Sequence, residues 1–146
     1  MIHCDDFGRS PLVSKNILKC IKEGNVNQVS VMVDFVDDEI HQDLIATDIE
    51  TRLHLNLTEN KNFIFGGKRK KLSFLNLIFL KKNRKDIYEE IDRQITEYLR
   101  LYGKKTIRID GHQHVHMIPW IYNYLINHKK FEIKEIRYSV ESLNLV

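Results

Sequence analysis

A chain of 146 residues has the size of one domain and can bury a useful core. With 42% hydrophobic and 29% charged residues and only two prolines, its composition is globular, which excludes disordered, collagenous and low-complexity classes. Its 23 basic and 20 acidic residues leave a net charge of +3, too small to argue for nucleic acid as a partner.

The opening "MIHCDDFGRSP" reads as a very short strand entering a loop, with Ser10 and Pro11 as the N-cap and first position of a helix that ends near Gly24. "VNQVSVMVDF" is rich in β-branched residues and predicts a buried strand, followed by a weaker helical segment from about Asp37 to Ala46. In "TRLHLNLT" the residues Leu53, Leu55 and Leu57 alternate with Arg52, His54, Asn56 and Thr58, so a strand puts His54 and Asn56 on one face. Residues 59–84 have an apolar centre between the basic stretches "KRKK" and "KKNRK" and read as a solvated, partly packed loop. Within it the run "LSFLNLIFL" at 72–80 is far shorter than the roughly 20 residues a membrane-spanning helix requires, so no membrane span is expected.

Residues 85–102 predict the clearest helix, since Ile87, Ile91, Ile95, Leu99 and Tyr102 fall on one stripe and Gly103 stands where a C-terminal cap belongs. "TIRIDGHQHVH" predicts a strand with Ile107, Ile109, Gln113 and Val115 on one parity and Asp110, His112, His114 and His116 on the other. Pro119 marks a turn into a helix through about His128, and "FEIKEIRYSV" supplies a last strand. Strands alternating with helices argue for one α/β domain over residues 1–146, built on a parallel sheet. Two cysteines, Cys4 and Cys20, are too few for a disulfide framework, and no signal peptide opens the chain, so a cytoplasmic location is expected.

Chemistry concentrates at strand ends. An extended strand would aim His112, His114 and His116 the same way, and several imidazoles packed together need partners or a cation. "DDFG" at 5–8 also follows a strand, where the active-site loops of parallel α/β folds gather. Adjacent Asp5 and Asp6 diverge in an extended backbone, so one can bind a cation while the other holds or deprotonates water. His54 ends a further strand. One carboxylate and two imidazoles suit a divalent metal that keeps open positions, an arrangement compatible with hydrolysis and also with non-haem iron chemistry.

"CDDFGRS", "LHLNLTE" and "DGHQHVHMIP" resemble the three successive motifs of the YdjC-like carbohydrate deacetylases, a family that includes the chitooligosaccharide deacetylases. They span residues 3–119 in the family's order. The resemblance implies a parallel-stranded (β/α) barrel-like fold and a metal-dependent hydrolase that removes an acetyl group from an N-acetylated mono- or oligosaccharide. Residue by residue it implies Asp6, His54 and His112 as ligands of one divalent ion, Mg2+ or Zn2+. It implies Asp5 as the base that deprotonates a metal-bound water for attack on the amide carbonyl, and His114 and His116 as pocket residues. Asn56, beside His54, and Arg137, on the last strand, are the other expected substrate contacts. Family members run further and carry a later histidine-proline motif that has no counterpart here. The expected fold is therefore an incomplete barrel whose open edges a homodimer would cover. The alternative function is a catalytically impaired metal- or carbohydrate-binding relative lacking the general acid.

Overall fold

The computed structural model describes residues 2–35, 38–59, 64–65, 68–69, 72–80 and 82–138. In chain order the elements are β1 (His3–Phe7), α1 (Pro11–Lys22), β2 (Gln28–Val31), α2 (Asp38–Ile45), β3 (Glu50–Leu55), β4 (Ile64–Phe65), β5 (Lys68–Arg69), α3 (Phe74–Ile78), α4 (Arg84–Tyr102), β6 (Thr106–Gly111), a 3-10 segment (His112–Met117), α5 (Pro119–Ile126) and β7 (Glu132–Ile136). Five strands form a parallel sheet in the order β1-β2-β3-β6-β7, with helices interleaved, as the alternating pattern of the sequence predicts. Among the described residues the sheet does not close, and β1 and β7 are its edges. Because every strand runs the same way, the ends of β1, β3 and β6 meet on one rim.

Strand alternation divides the sheet into two chemically different faces. Val29, Val31, Leu53, Leu55, Ile107 and Ile109, all at most 1% exposed, join one apolar cluster with Ile17 of α1, Leu44 of α2, Ile91 of α4 and Ile121 of α5. Full burial of each such side chain contributes about 2 kcal/mol. The opposite parity carries Gln28, Ser30, Arg52, His54 and Asp110, and these are buried too. Hydrogen bonds hold them there: Gln28 Nε2 donates to Glu50 Oε2 at 2.8 Å, and Arg52 donates to Gln28 Oε1 at 3.3 Å and to Glu135 Oε1 at 2.8 Å. The polar residues of "TRLHLNLT" therefore line an internal face, where Arg52 and His54 are paired instead of solvated.

The Ser10 hydroxyl accepts from Val13 N–H at 3.3 Å, and Gly103 closes α4 at φ 58, so both predicted caps form. The buried face of α4 differs at its end from the predicted stripe: Leu99 and Tyr102 are only half-buried, while Tyr98 and Leu101 turn inward. Steps of four residues drift around a helix of 3.6 residues per turn, so a straight face must include steps of three.

The larger correction concerns the histidine-rich stretch. It is not a continuous strand, because β6 ends at Gly111 and the chain turns through Gln113 (φ 53) and His114 (φ 56) into α5. The turn buries Val115 completely and folds the His116 ring back over Gly111, where a Cβ would lie 2.7 Å from His116 Nδ1. The three imidazoles therefore point to different places.

In the connection 59–84, Ser73 and Asn76 form a capping box on α3, Leu72 and Leu77 are buried, and the Leu77 carbonyl accepts from Trp120 Nε1 at 3.1 Å. Lys68 is exposed, while Lys70, Lys71 and Lys81 lie outside the described residues. Among the described residues no helix is long and apolar enough to cross a membrane.

Gly8 is the tightest backbone position near the rim. It adopts φ +90, and a Cβ there would press into the Met32 carbonyl oxygen. Gly8→Ala is expected to cost about 2–3 kcal/mol, read as a lowered urea midpoint; an unchanged midpoint would mean that this loop is free to shift.

Candidate metal centre

The rim begins with a break in β1. Its register with β2 slips between Cys4 and Phe7, and Asp6 takes φ 68, a left-handed conformation that costs an L residue about 1–2 kcal/mol. The break separates the two adjacent carboxylates. Asp6 Oδ1 lies 3.2 Å from His54 Nε2 and 3.1 Å from His112 Nδ1. His54 is the penultimate residue of β3 and His112 directly follows β6, so neighbouring strand ends bring both rings to Asp6. Donor atoms of Asp6, His54 and His112 all fall within 4.8 Å of one another. Both imidazoles are buried and Asp6 is partly so.

Charge is concentrated at this point. The hydrogen bond with His54 holds the Asp6 carboxyl down at about 2 against the opposing effect of burial. Burial disfavours a charged His54, but the Asp110 and Asp6 carboxylates outweigh it and raise the imidazole to about 9. Arg9 bridges outward, with Nη1 3.0 Å from Asp6 Oδ2 and Nη2 3.0 Å from Glu59 Oε2. Glu59 Oε1 in turn stands 3.5 Å from His112 Nε2, a buried nitrogen with no hydrogen-bond partner among the described residues. A carboxylate and two imidazoles whose donor atoms lie within 4.8 Å of one another are a donor set that fits a divalent cation.

Asp5 stands beside this cluster, not within it. Its Oδ1 is 3.0 Å from His3 Nε2 and 3.2 Å from Arg137 Nη1, and the side chain is half exposed. Burial works against its charge, yet the His3 hydrogen bond leaves the carboxyl below its ordinary value. Arg137 thus meets acidic residues at the rim, and its backbone carbonyl accepts from His116 Nε2 at 2.9 Å. His116 is buried, which lowers its pKa, whereas His114 is exposed. Asn56 is fully buried, and its Oδ1 accepts from Thr58 N–H at 3.3 Å and Glu59 N–H at 3.0 Å, shaping the loop after β3.

Of the eight residues singled out in the sequence, Asp6, His54 and His112 come together, Asp5 and Arg137 lie alongside, and His114, His116 and Asn56 stand outside the donor cluster. Sequence reasoning passed over His3, Arg9, Ser30, Glu59 and Asp110. Asp110 carried one usable signal, its shared strand parity with His112, and His3 and Arg9 had another, standing within three residues of the Asp5 and Asp6 carboxylates they meet; Ser30 and Glu59 reach the site only through long-range folding.

An open parallel α/β sheet with carboxylate and imidazole donors gathered at its strand ends defines the class to which this protein belongs. Residues 1–146 match the family model described as YdjC-like protein, and the chain belongs to that family. It is 29% identical over 130 residues to the carbohydrate deacetylase of Danio rerio, covering 79% of this chain and 41% of the relative. It is 30% identical over 133 residues to the carbohydrate deacetylase of Xenopus laevis, covering 80% and 42%. A stretch of 37 residues is 46% identical to the chitooligosaccharide deacetylase of Serratia marcescens, covering 25% of this chain and 15% of that one. The chain therefore spans well under half the length of these relatives. A crystal structure from Enterococcus faecalis V583, described as a candidate cellobiose-phosphate cleavage protein, shares the fold with a TM-score of 0.68 at 20% identity, covering 98% of this chain and 59% of that one.

Proposed function

We propose that this chain carries the metal-binding and proton-accepting part of a carbohydrate N-deacetylase, which hydrolyses the acetamide of an N-acetylated mono- or oligosaccharide. The observation that carries the reading is the convergence of Asp6, His54 and His112 beside a separately held Asp5, in a chain whose relatives are named carbohydrate deacetylases.

Asp6, His54 and His112 would hold the ion, Mg2+ or Zn2+. When bound, a divalent cation supplies Lewis-acid polarisation of the acetyl carbonyl and acidifies a coordinated water. The chain's own contribution to proton transfer is Asp5. His3 and Arg137 both meet its Oδ1, which leaves Oδ2 to accept the proton that water loses as its oxygen attacks the carbonyl carbon. The C–N bond then breaks, acetate forms, and the amine nitrogen takes up the proton that Asp5 received from water, which restores the Asp5 carboxylate. His114, exposed on its turn, and Arg137, half exposed beside Asp5, serve as rim contacts for the sugar. Asn56 and His116 act indirectly, through the loops they hold.

Acetate release from N-acetylglucosamine and N-acetylated chitooligosaccharides tests this reading. Chelator-treated protein should release none, and addition of Zn2+ or Mg2+ should restore release. Zn2+ binding without acetate from any of these substrates would replace hydrolysis with a binding role.

A further inference from the structure

Asp110 takes no part in the donor cluster, yet its carboxylate is almost fully enclosed, with 2% of the side chain exposed. Its Oδ1 accepts from His54 Nδ1 at 2.7 Å. Its Oδ2 accepts from the Ser30 hydroxyl and faces Arg137 Nη1 at 3.4 Å and His3 Nε2 at 3.5 Å. Strand register puts His54 and Asp110 side by side on β3 and β6, so their meeting is built into the sheet.

An ionised carboxylate can only accept, so the proton between the two groups belongs to His54 Nδ1. Nε2, which donates to Asp6 Oδ1 at 3.2 Å, is then the nitrogen whose proton a bound cation would displace. We propose that Asp110 is the positioning residue of this centre: it fixes the tautomer and angle of His54 so that the Nε2 lone pair faces the space shared with Asp6 and His112. This deepens the deacetylase reading and rests on its metal centre. Ser30 and Arg137 hold Oδ2 and keep the carboxylate from rotating, and the same Arg137, with His3, also holds Asp5 Oδ1. One framework, anchored on the buried Asp110, thus orients both a ligand and the proton acceptor. Carboxylates behind ligating imidazoles commonly act in this way, and their loss weakens metal binding.

The test uses the full chain, loaded with Zn2+ and labelled with 15N at histidine. Two-bond 1H–15N correlations should show His54 bound through Nε2 and protonated at Nδ1. This wild-type measurement does not depend on any variant folding. Asp110→Asn, whose amide can donate to Nδ1 and favour the other tautomer, should lose that pattern and raise the Zn2+ Kd by about 10–100-fold in a calorimetric titration. Ligation of His54 through Nδ1 in the wild type, or an Asp110→Asn protein whose Zn2+ Kd is unchanged, overturns the proposal. Unchanged Kd alongside wild-type acetate release would remove the positioning role and leave the deacetylase reading. Weakened binding, with no acetate released even by the wild type, would do the reverse.

Discussion

His54→Ala is expected to cost more than any other single substitution at the rim, lowering Zn2+ affinity by at least about 100-fold and destabilising the fold as well. Two separate losses combine. The centre loses one of its three protein donors, and Asp110 loses the imidazole that meets its Oδ1 inside the protein. Removing one partner of a buried pair leaves the other without compensation, typically at about 3–5 kcal/mol. Ser30 and Arg137 still reach Asp110 Oδ2, which places the expected loss at the lower end, about 3 kcal/mol. His112→Ala removes a donor whose far side meets Glu59 only at 3.5 Å, so it should lower metal affinity comparably with a smaller stability cost. Calorimetric Zn2+ titration and urea unfolding of the three proteins separate the two effects. Equal Zn2+ affinity in wild type, His54→Ala and His112→Ala would detach these residues from metal binding altogether.

The parts of this architecture that depend on local periodicity were legible in the residue order. Alternation in "TRLHLNLT" separates the helix-covered face, with Leu53 and Leu55, from the face of Arg52 and His54, and the structure keeps that division. Ser10 and Gly103 announce helix ends through side-chain and backbone preferences that act within a few residues. The histidine triple was not legible in the same way. Alternate spacing is shared by a strand and by a turn that includes left-handed residues, and what decides between them is distant: the sheet ends at Gly111, and Val115 must be buried before α5 begins. The supporting groups were hidden for a related reason. Arg9 and Glu59 lie 50 residues apart and Ser30 and Asp110 lie 80 apart, and no local pattern announces such a meeting. The polarity of Gln28 and Arg52 was visible, but whether they face solvent or each other depends on strand order.

Asp5→Asn is expected to remove turnover, by about a thousandfold, while leaving Zn2+ affinity essentially unchanged. The contrast follows from the break at Asp6. Asp5 points to His3 and Arg137 and contributes no atom to the Asp6, His54 and His112 cluster, so an amide in its place removes no donor. Asparagine keeps an oxygen able to accept from His3 and Arg137 and so preserves the shape of the rim, but its amide nitrogen cannot take a proton from water. The rate should therefore fall through loss of the proton acceptor alone, with kcat reduced and KM for the sugar little changed. Asp6→Asn is the complementary variant: it weakens a donor at the centre of the cluster and should depress Zn2+ binding and turnover together. Should Asp5→Asn retain wild-type acetate release, the proton acceptor lies elsewhere. Should it lose Zn2+ binding as Asp6→Asn does, the division of labour between the two adjacent carboxylates fails, and the strained turn that parts them has some other purpose.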